Sequence, residues 1–304
     1  PKKMMKNIYL TNGIIFSQNI LIKLIDKKLS REKSYQIVQR IAHEAWDNNK
    51  DFKTEIRING ERIKRIIKEH DAFDINAKYQ VATPVPNCTI DNFLSEDFAQ
   101  RMYEESNTIP EEYWTKFTRN GSNMEECIRL DKAPVATEFV NQMHSSLGME
   151  WISHLTGVDN IIADPYIVGA GYSKSYKGDS LKIHTDFNWN DRLQVHRVAS
   201  LIVYLTPGWK PEWKGTFEYW DENREHKVKE VDCLFNRCII WNYHKRGFHG
   251  YPEPIECPEG EHRTTFRLMF YVSNAEYNKT DRPHRSLYWY DKDMDEPYDI
   301  PSQK

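Results

Sequence analysis

Within Lys182-Ile-His-Thr-Asp-Phe187 a histidine and an aspartate stand two residues apart in a β-rich run. A strand's period of two sends both side chains to one face, so His184 and Asp186 can share one ion. After the apolar run Cys238 to Trp241, Gly247-Phe-His-Gly250 offers a second imidazole, His249, at a strand end. Two imidazoles and one carboxylate on one face of an octahedral metal leave three positions open, a donor set suited to an Fe(II) that must take up further ligands. Arg263 follows fourteen residues beyond His249. A buried guanidinium fork suits a carboxylate gripped through two hydrogen bonds. Each piece alone is common: an H-x-D on a strand arises by chance, and a lone histidine is more often a structural residue than a ligand. Their order along one β-rich stretch sharpens the reading.

That stretch begins near Asp164. Short runs rich in β-formers follow at intervals of about ten residues: Tyr166 to Val168, Leu181 to Phe187, Ala199 to Leu205, Thr216 to Trp220, Cys238 to Trp241 and Thr264 to Val272. Such spacing predicts an antiparallel sandwich or barrel. Ahead of it, helices are expected over Ile90 to Ser106, with Ser95 and Glu96 near the start, and over Thr137 to Leu155. Residues 81–87 carry two prolines without helical period and read as a linker. Before them, Ile14, Ile20, Leu24, Tyr35, Val38, Ile41 and Trp46 recur at helical spacing. The expected organisation is therefore a small all-α segment over 1–80, a linker over 81–87 and a mainly β domain over 88–304.

The 304 residues include 39% apolar and 29% charged side chains, enough to bury one sizeable core and a smaller second one. No apolar run approaches the roughly 20 residues of a bilayer span, and no basic-then-apolar leader is seen, so membrane and secreted readings fall away. The net charge of −3 hides an asymmetry, with 17 Lys/Arg against 10 Asp/Glu in residues 1–80. Spread over helices, that surplus reads as a solvated face, and no nucleic-acid partner is expected. Five cysteines without a C-x-x-C pair point away from a disulfide framework and toward a reducing, cytoplasmic setting.

The β-rich part resembles the Fe(II)- and 2-oxoglutarate-dependent dioxygenases, in particular their prolyl-4-hydroxylase-like branch, over about residues 88–272. The carriers are Ile90-Asp-Asn-Phe-Leu94, Leu155-Thr-Gly157 with Asp164-Pro165, Tyr176-Lys-Gly-Asp179, His184-Thr-Asp-Phe-Asn188 and Leu201-Ile-Val-Tyr-Leu-Thr206 with Trp209. Phe235-Asn-Arg237, His249-Gly-Tyr-Pro-Glu-Pro254, Cys257-Pro258 and Arg263-Thr-Thr265 continue the series. The resemblance implies a double-stranded β-helix, or jelly roll, with flanking helices. It implies His184, Asp186 and His249 as the iron ligands and catalytic centre, and Arg263 as the partner of the 2-oxoglutarate C5 carboxylate. Tyr204 and Thr265 are further candidates for that carboxylate, and Tyr176 for the pocket wall; a locally satisfied core ring is the plainer use of either tyrosine.

The activity implied is hydroxylation with Fe(II), 2-oxoglutarate and O₂, releasing succinate and CO₂, with ascorbate as a candidate reductant. The substrate is then a prolyl residue of a peptide, a free amino acid or another small metabolite. Arg192, His196 and Arg197 could receive an anionic substrate, or simply be a solvated edge. Trp189, Trp209, Trp213, Tyr219, Trp220 and Tyr243 could line a pocket, although core packing suits most of them better. The tail beyond Asn274 could fold over the site or lie on the surface. Where the family usually has Gly-Gly, this chain has Lys214-Gly215, a departure expected to alter a turn but no ligand.

Residues 1–75 resemble a different family, in the C-terminal helical region of adenylosuccinate lyase. The carriers are Pro1-Lys-Lys-Met-Met-Lys-Asn-Ile8, Leu10 to Gln18, Leu29-Ser-Arg-Glu32, Tyr35-Gln-Ile-Val-Gln-Arg40, Ala45-Trp46 and Asp51-Phe52. The lyase's Ser-rich catalytic loop and acid/base histidines lie upstream of the matching region, so no lyase activity is expected. The segment reads as a helical appendage that docks or mediates self-association, as a vestige, or as a module for a purine-pathway partner. The competing reading for the whole chain is a catalytically inactive oxygenase-like scaffold with a helical interaction segment.

Overall fold

The computed structural model of the chain describes residues 38, 39, 42, 72–119, 122–273 and 283–288. Most of the expected N-terminal helical segment lies outside them; Val38, Gln39 and Ala42 are helical. The chain divides into two compact units between Arg65 and Ile66, and the second carries the architecture described here.

Thirteen strands among the described residues make two antiparallel sheets. The larger has the order β1-β10-β7-β12-β4-β3-β2, with β6 also on β7, and the smaller β13-β5-β11-β8-β9. The larger comprises β1 (Asn87–Ile90), β2 (Thr115–Arg119), β3 (Ser122–Cys127), β4 (Gly171–Tyr176), β6 (Trp189–Asn190), β7 (Val195–Tyr204), β10 (Cys238–Asn242) and β12 (His262–Ser273). The smaller comprises β5 (Leu181–Thr185), β8 (Phe217–Trp220), β9 (Lys227–Val231), β11 (His249–Tyr251) and β13 (Leu287–Tyr288). The mostly antiparallel two-sheet arrangement is jelly-roll-like, as expected.

Strand β12 shows how the layers arise. Its even residues Phe266, Leu268 and Phe270 enter a core shared with the helices, where Phe139 meets Phe266 edge-on at 5.6 Å. Its odd residues Arg263, Thr265, Arg267 and Met269 face a cavity on the other side. A period of two thus gives one strand an apolar outer face and a chemical inner face. A second apolar cluster, including Tyr204, Phe217, Tyr219, Trp241 and Tyr251, joins the two sheets.

Four helices brace the larger sheet: α1 (Ala72–Gln80), α2 (Glu96–Thr108), α3 (Pro134–Met143) and α4 (Ser146–Thr156). Ser95 caps α2 by accepting the Phe98 N–H, so the helix starts six residues after Ile90, which ends β1. The expected helix Thr137 to Leu155 is two helices, because Ser145 accepts the Gly148 N–H and starts a new one. Helix α3 has no capping side chain of its own; Glu105 supplies it from α2, accepting Val135 N–H at 2.6 Å and Ala136 N–H at 2.9 Å. Helix α1 closes the far end of α4. Asn76 donates to His154 O and Leu155 O, and Gln80 to Thr156 O, satisfying carbonyls that a helix terminus leaves open.

Tyr166 to Val168 is a turn rather than the expected strand. Asp164 accepts the N–H groups of Tyr166 and Val168, both at 2.8 Å, and Ile167 takes a positive φ of 56°. Strands β2, β3, β4 and β9 were not anticipated. The Ser173 and Ser175 positions of β4 face inward and dilute its apolar signal. Edge strand β9, Lys-Val-Lys-Glu-Val, carries the charges that discourage edge-to-edge pairing. All five cysteines are free and buried.

Candidate active site

Strands β5 and β11 lie side by side with His184 opposite His249, their ring centroids 4.7 Å apart. Gly250 permits that approach: a Cβ there would meet the Leu181 carbonyl oxygen at 2.7 Å. Asp186 follows β5 by one residue and turns to the same side. One donor atom from each of His184, Asp186 and His249 lies within 4.8 Å of the others. Nδ1 of each imidazole is 2.8 Å from the carbonyl oxygen two residues earlier, Lys182 in one case and Gly247 in the other. Assigning the proton to Nδ1 makes each of these a donated bond and leaves the Nε2 lone pair free for a metal. The Nε2 atoms stand 3.7 Å and 3.5 Å from the two Asp186 oxygens.

The shell around these residues fixes their charge states. His249 is stacked on Phe217 at 5.2 Å and meets Trp241 edge-on. Burial, outweighing the pull of Asp186, lowers its pKa to about 4, so it stays a neutral donor. For Asp186 burial alone would raise the pKa, but Arg197, then His249 and His184, outweigh it and hold the carboxyl well below the usual range. Arg197 donates from Nη2 to Asp186 Oδ2 at 2.9 Å, and its guanidinium also reaches Ser200 Oγ. Two imidazoles and an ionised carboxylate fit Fe(II) in donor type and number, with positions left over for further ligands.

Across a cavity of about 280 Å³ stands Arg263, 5% exposed. Its guanidinium lies 3.9 Å from the Tyr251 ring centroid and 5.8 Å from that of Tyr204, while Nη1 donates to Gly215 O. Gly215 adopts φ 77° after Lys214 at 58°, so the Lys-Gly departure is a left-handed turn that aims a carbonyl at the arginine. That contact with Arg263 was not anticipated. Burial pushes the Tyr204 hydroxyl well up, keeping its proton available. Tyr204 and Thr265 both line the cavity. Tyr176 stands elsewhere, at the end of β4 with its ring 5.5 Å from His262.

Of the three candidates for an anionic substrate, Arg197 alone lines the cavity. Arg192 sits over the Tyr166 ring, and His196 meets Trp189 edge-on. None of the six aromatics considered for the pocket lines this cavity; Trp209 meets Trp213 at 5.1 Å and Tyr219 meets Phe217 at 4.9 Å. A ring from the tail, Tyr288, does line it. It belongs to β13, which pairs with β5, and its ring stacks on His184 at 5.2 Å. The tail was expected to fold over the site or lie on the surface; Tyr288 takes the first course, though no sequence signal singled it out. Arg267, Glu126 and Ser173 also line the cavity. Only the period-two spacing of Arg267 from Arg263 could have revealed that.

Residues 170–271 match the 2OG-Fe(II) oxygenase superfamily. The matching stretch contains every residue of the iron-type cluster and Arg263, so the likeness falls on the part of the chain that builds the site. A solved prolyl-4-hydroxylase from Pseudomonas putida shares its fold at TM-score 0.50 and 14% identity, covering 66% of this chain and 99% of that one. A Trichoplax adhaerens prolyl hydroxylase, solved with a hypoxia inducible factor peptide, is similar at TM-score 0.49 and 13% identity, covering 69% of this chain and 92% of that one.

Residues 13–79 match the adenylosuccinate lyase C-terminus. The Thermotoga maritima lyase is 41% identical over 78 residues, 25% of this chain and 18% of that protein. The Helicobacter pylori lyase is 36% identical over 88 residues, 25% of this chain and 20% of that protein. The chain therefore spans about a fifth of the length of these relatives. The lyase-like stretch ends within α1, whose Tyr79 hydroxyl donates to Asn242 at the end of β10.

Proposed function

We propose that the chain is an Fe(II)- and 2-oxoglutarate-dependent hydroxylase. The observation that carries this reading is the convergence of His184, Asp186 and His249 on the cavity into which Arg263 projects. His184 and His249 would hold iron through Nε2 and Asp186 through a carboxylate oxygen. Iron with 2-oxoglutarate and O₂ supplies oxidative decarboxylation to succinate and CO₂ coupled to C–H hydroxylation.

The protein's own contributions follow from the geometry. Arg263 offers the C5 carboxylate of 2-oxoglutarate a buried guanidinium already oriented by Gly215 O, and Tyr204 and Thr265 flank it. Arg197 keeps Asp186 ionised before any metal arrives. Tyr288, Phe217 and Trp241 wall the imidazoles with apolar surface and exclude water. Ascorbate would serve as reductant, and a prolyl residue, a free amino acid or another small metabolite as substrate. Five buried free thiols support a reducing, cytoplasmic setting. The helical segment 1–80 is proposed to mediate self-association, which sedimentation of the chain with and without residues 1–65 checks.

The deciding experiment is anaerobic titration of the full chain with Fe(II) and then 2-oxoglutarate. A visible metal-to-ligand charge-transfer band that vanishes on admitting O₂, with succinate formed, is the expected result. Iron binding without the band would overturn the cosubstrate. Failure of both to bind would leave the domain a scaffold.

A further inference from the structure

Strand β5 carries His184 and leads into Asp186, so whatever fixes the end of β5 also fixes the cluster. One flank of β5 pairs with β11. The other flank is shared between two elements. Its first half is held from β3, where Ser122 Oγ accepts Lys182 N–H at 2.9 Å and Asn123 N–H donates to Ser180 O at 2.9 Å. Its second half, which bears the cluster residues, is paired by the tail: Leu287 with Thr185 and Tyr288 with His184.

The same register runs on beyond β13, setting Ser286 opposite Asp186 and His284 opposite Asn188. The hydrogen bonds agree with it. Asn188 N–H donates to His284 O at 3.2 Å, and His284 N–H donates to Asn188 Oδ1 at 2.7 Å. The Tyr243 hydroxyl meets His284 Nε2, which pins this part of the tail to the residue after β10. Residues paired across antiparallel strands share a face. Tyr288 and Ser286 accordingly face the same way as His184 and Asp186, and all four line the cavity.

Each imidazole of the cluster lies against one stacked ring. For His249 it is Phe217, at 5.2 Å and 13°, from β8 in the body of the smaller sheet. For His184 it is Tyr288, at 5.2 Å and 25°, and this wall comes from the tail. The bond between His184 Nδ1 and Lys182 O restrains one edge of the ring and leaves its face free to swing. Tyr288 from one neighbouring strand and His249 from the other remove that freedom. Tyr288 is 2% exposed, so its ring is packed and does not lie loosely over the site.

We infer that the tail is part of the metal site: Tyr288 is a positioning residue that holds the His184 imidazole in line with Asp186 and His249, and His284 anchors the strap that delivers it. This rests on the metal reading of the same cluster. Linkage adds a reciprocal consequence. The factor by which the docked tail raises metal affinity is the factor by which bound metal strengthens docking of the tail.

Both sides of that linkage can be measured on the full chain with Mn(II) alone. Electron paramagnetic resonance titrations compare wild type with Tyr288→Phe and Tyr288→Ala. Tyr288→Phe keeps the ring and should stay within about threefold of wild type, whereas Tyr288→Ala should bind at least about tenfold more weakly, an ordinary size for such coupling. Trypsin cleavage after the exposed Arg285 is then timed with and without saturating Mn(II). Cleavage there requires the tail to leave β5, so its rate follows the undocked fraction. Metal should slow it at least about tenfold in wild type and by less in Tyr288→Ala. The wild-type comparison needs no variant and stands even if Tyr288→Ala fails to fold. Unchanged Mn(II) affinity in Tyr288→Ala, equal losses in the Phe and Ala variants, or a wild-type cleavage rate that metal leaves unaltered overturns the positioning role alone. Absence of Mn(II) binding by wild type overturns the metal reading beneath it.

Discussion

At the scale of single residues, Asp186 is the counter-charge of Arg197 and, on the proposed reading, would also supply a metal oxygen. Asp186→Ala removes both. Breaking a buried ion pair from one side costs about 3–5 kcal/mol, because the surviving charge is stranded. We expect the metal-free variant to lose about that much stability in urea unfolding, and to show no bound Mn(II) by electron paramagnetic resonance. Wild-type Mn(II) affinity in that variant would remove Asp186 from the ligand set. Arg263→Leu should act differently, raising the 2-oxoglutarate requirement on the order of 10- to 100-fold while Mn(II) affinity holds, since charge-assisted hydrogen bonds contribute about 1.5–3 kcal/mol. A third residue bears on acid stability. Burial, helped by Lys174, lowers His262 to about 4, below its usual 6.5. The unfolded chain takes up that proton first, so this share of stability is present above pH 6.5 and drains away as pH falls toward 4. His262→Gln should therefore flatten the fall of Tm across that window, and an unchanged slope would show that the ring titrates normally.

At the scale of elements, the site depends on the spacing of β5 and β11. Gly250→Ala would drive a methyl toward the Leu181 carbonyl and push His249 away from His184. We expect Mn(II) affinity to fall at least tenfold with a smaller loss of stability; tight metal binding in this variant would mean the strands can yield. The strands that hold ligands were legible because β5, β7, β10 and β12 are apolar on at least one face. Strands β3 and β4 were not, since Ser122, Ser173 and Ser175 turn to the interior, where polar patterning contradicts the usual signal. The break between α3 and α4 turned on Ser145, an ordinary residue until its side chain accepts the Gly148 N–H. Likewise the cap of α3 comes from Glu105, thirty positions away, which no local rule can find.

At the scale of the molecule, similarity and packing draw different borders. The lyase-like stretch runs to residue 79, yet the compact unit bearing the site begins at Ile66 and includes α1. Tyr79 is fully buried there and donates to Asn242 at 2.8 Å. A chain starting at Ile66 should therefore unfold cooperatively and bind Mn(II) as the full chain does. One starting at Val81 loses the Tyr79 ring and three donors to the end of α4, and should be less stable by about 3 kcal/mol or more. Equal stability of the two would make α1 an ornament.

Sequence by itself determined the donor set and its order. His184, Asp186, His249 and Arg263 are read from residue type, a period of two and succession along β-rich runs, because metal and carboxylate chemistry admit few side chains and a strand admits few spacings. The rhythm of apolar runs and turns gave an antiparallel sandwich or barrel, and the family resemblance narrowed that to a jelly roll. Tertiary structure alone decided what those residues touch. Arg197 against Asp186, Gly215 O against Arg263, Tyr288 over His184 and Arg267 against Glu126 all join different elements of the fold. Such contacts are set by sheet register and by which faces are buried together, and register is a property of paired strands that no single strand contains.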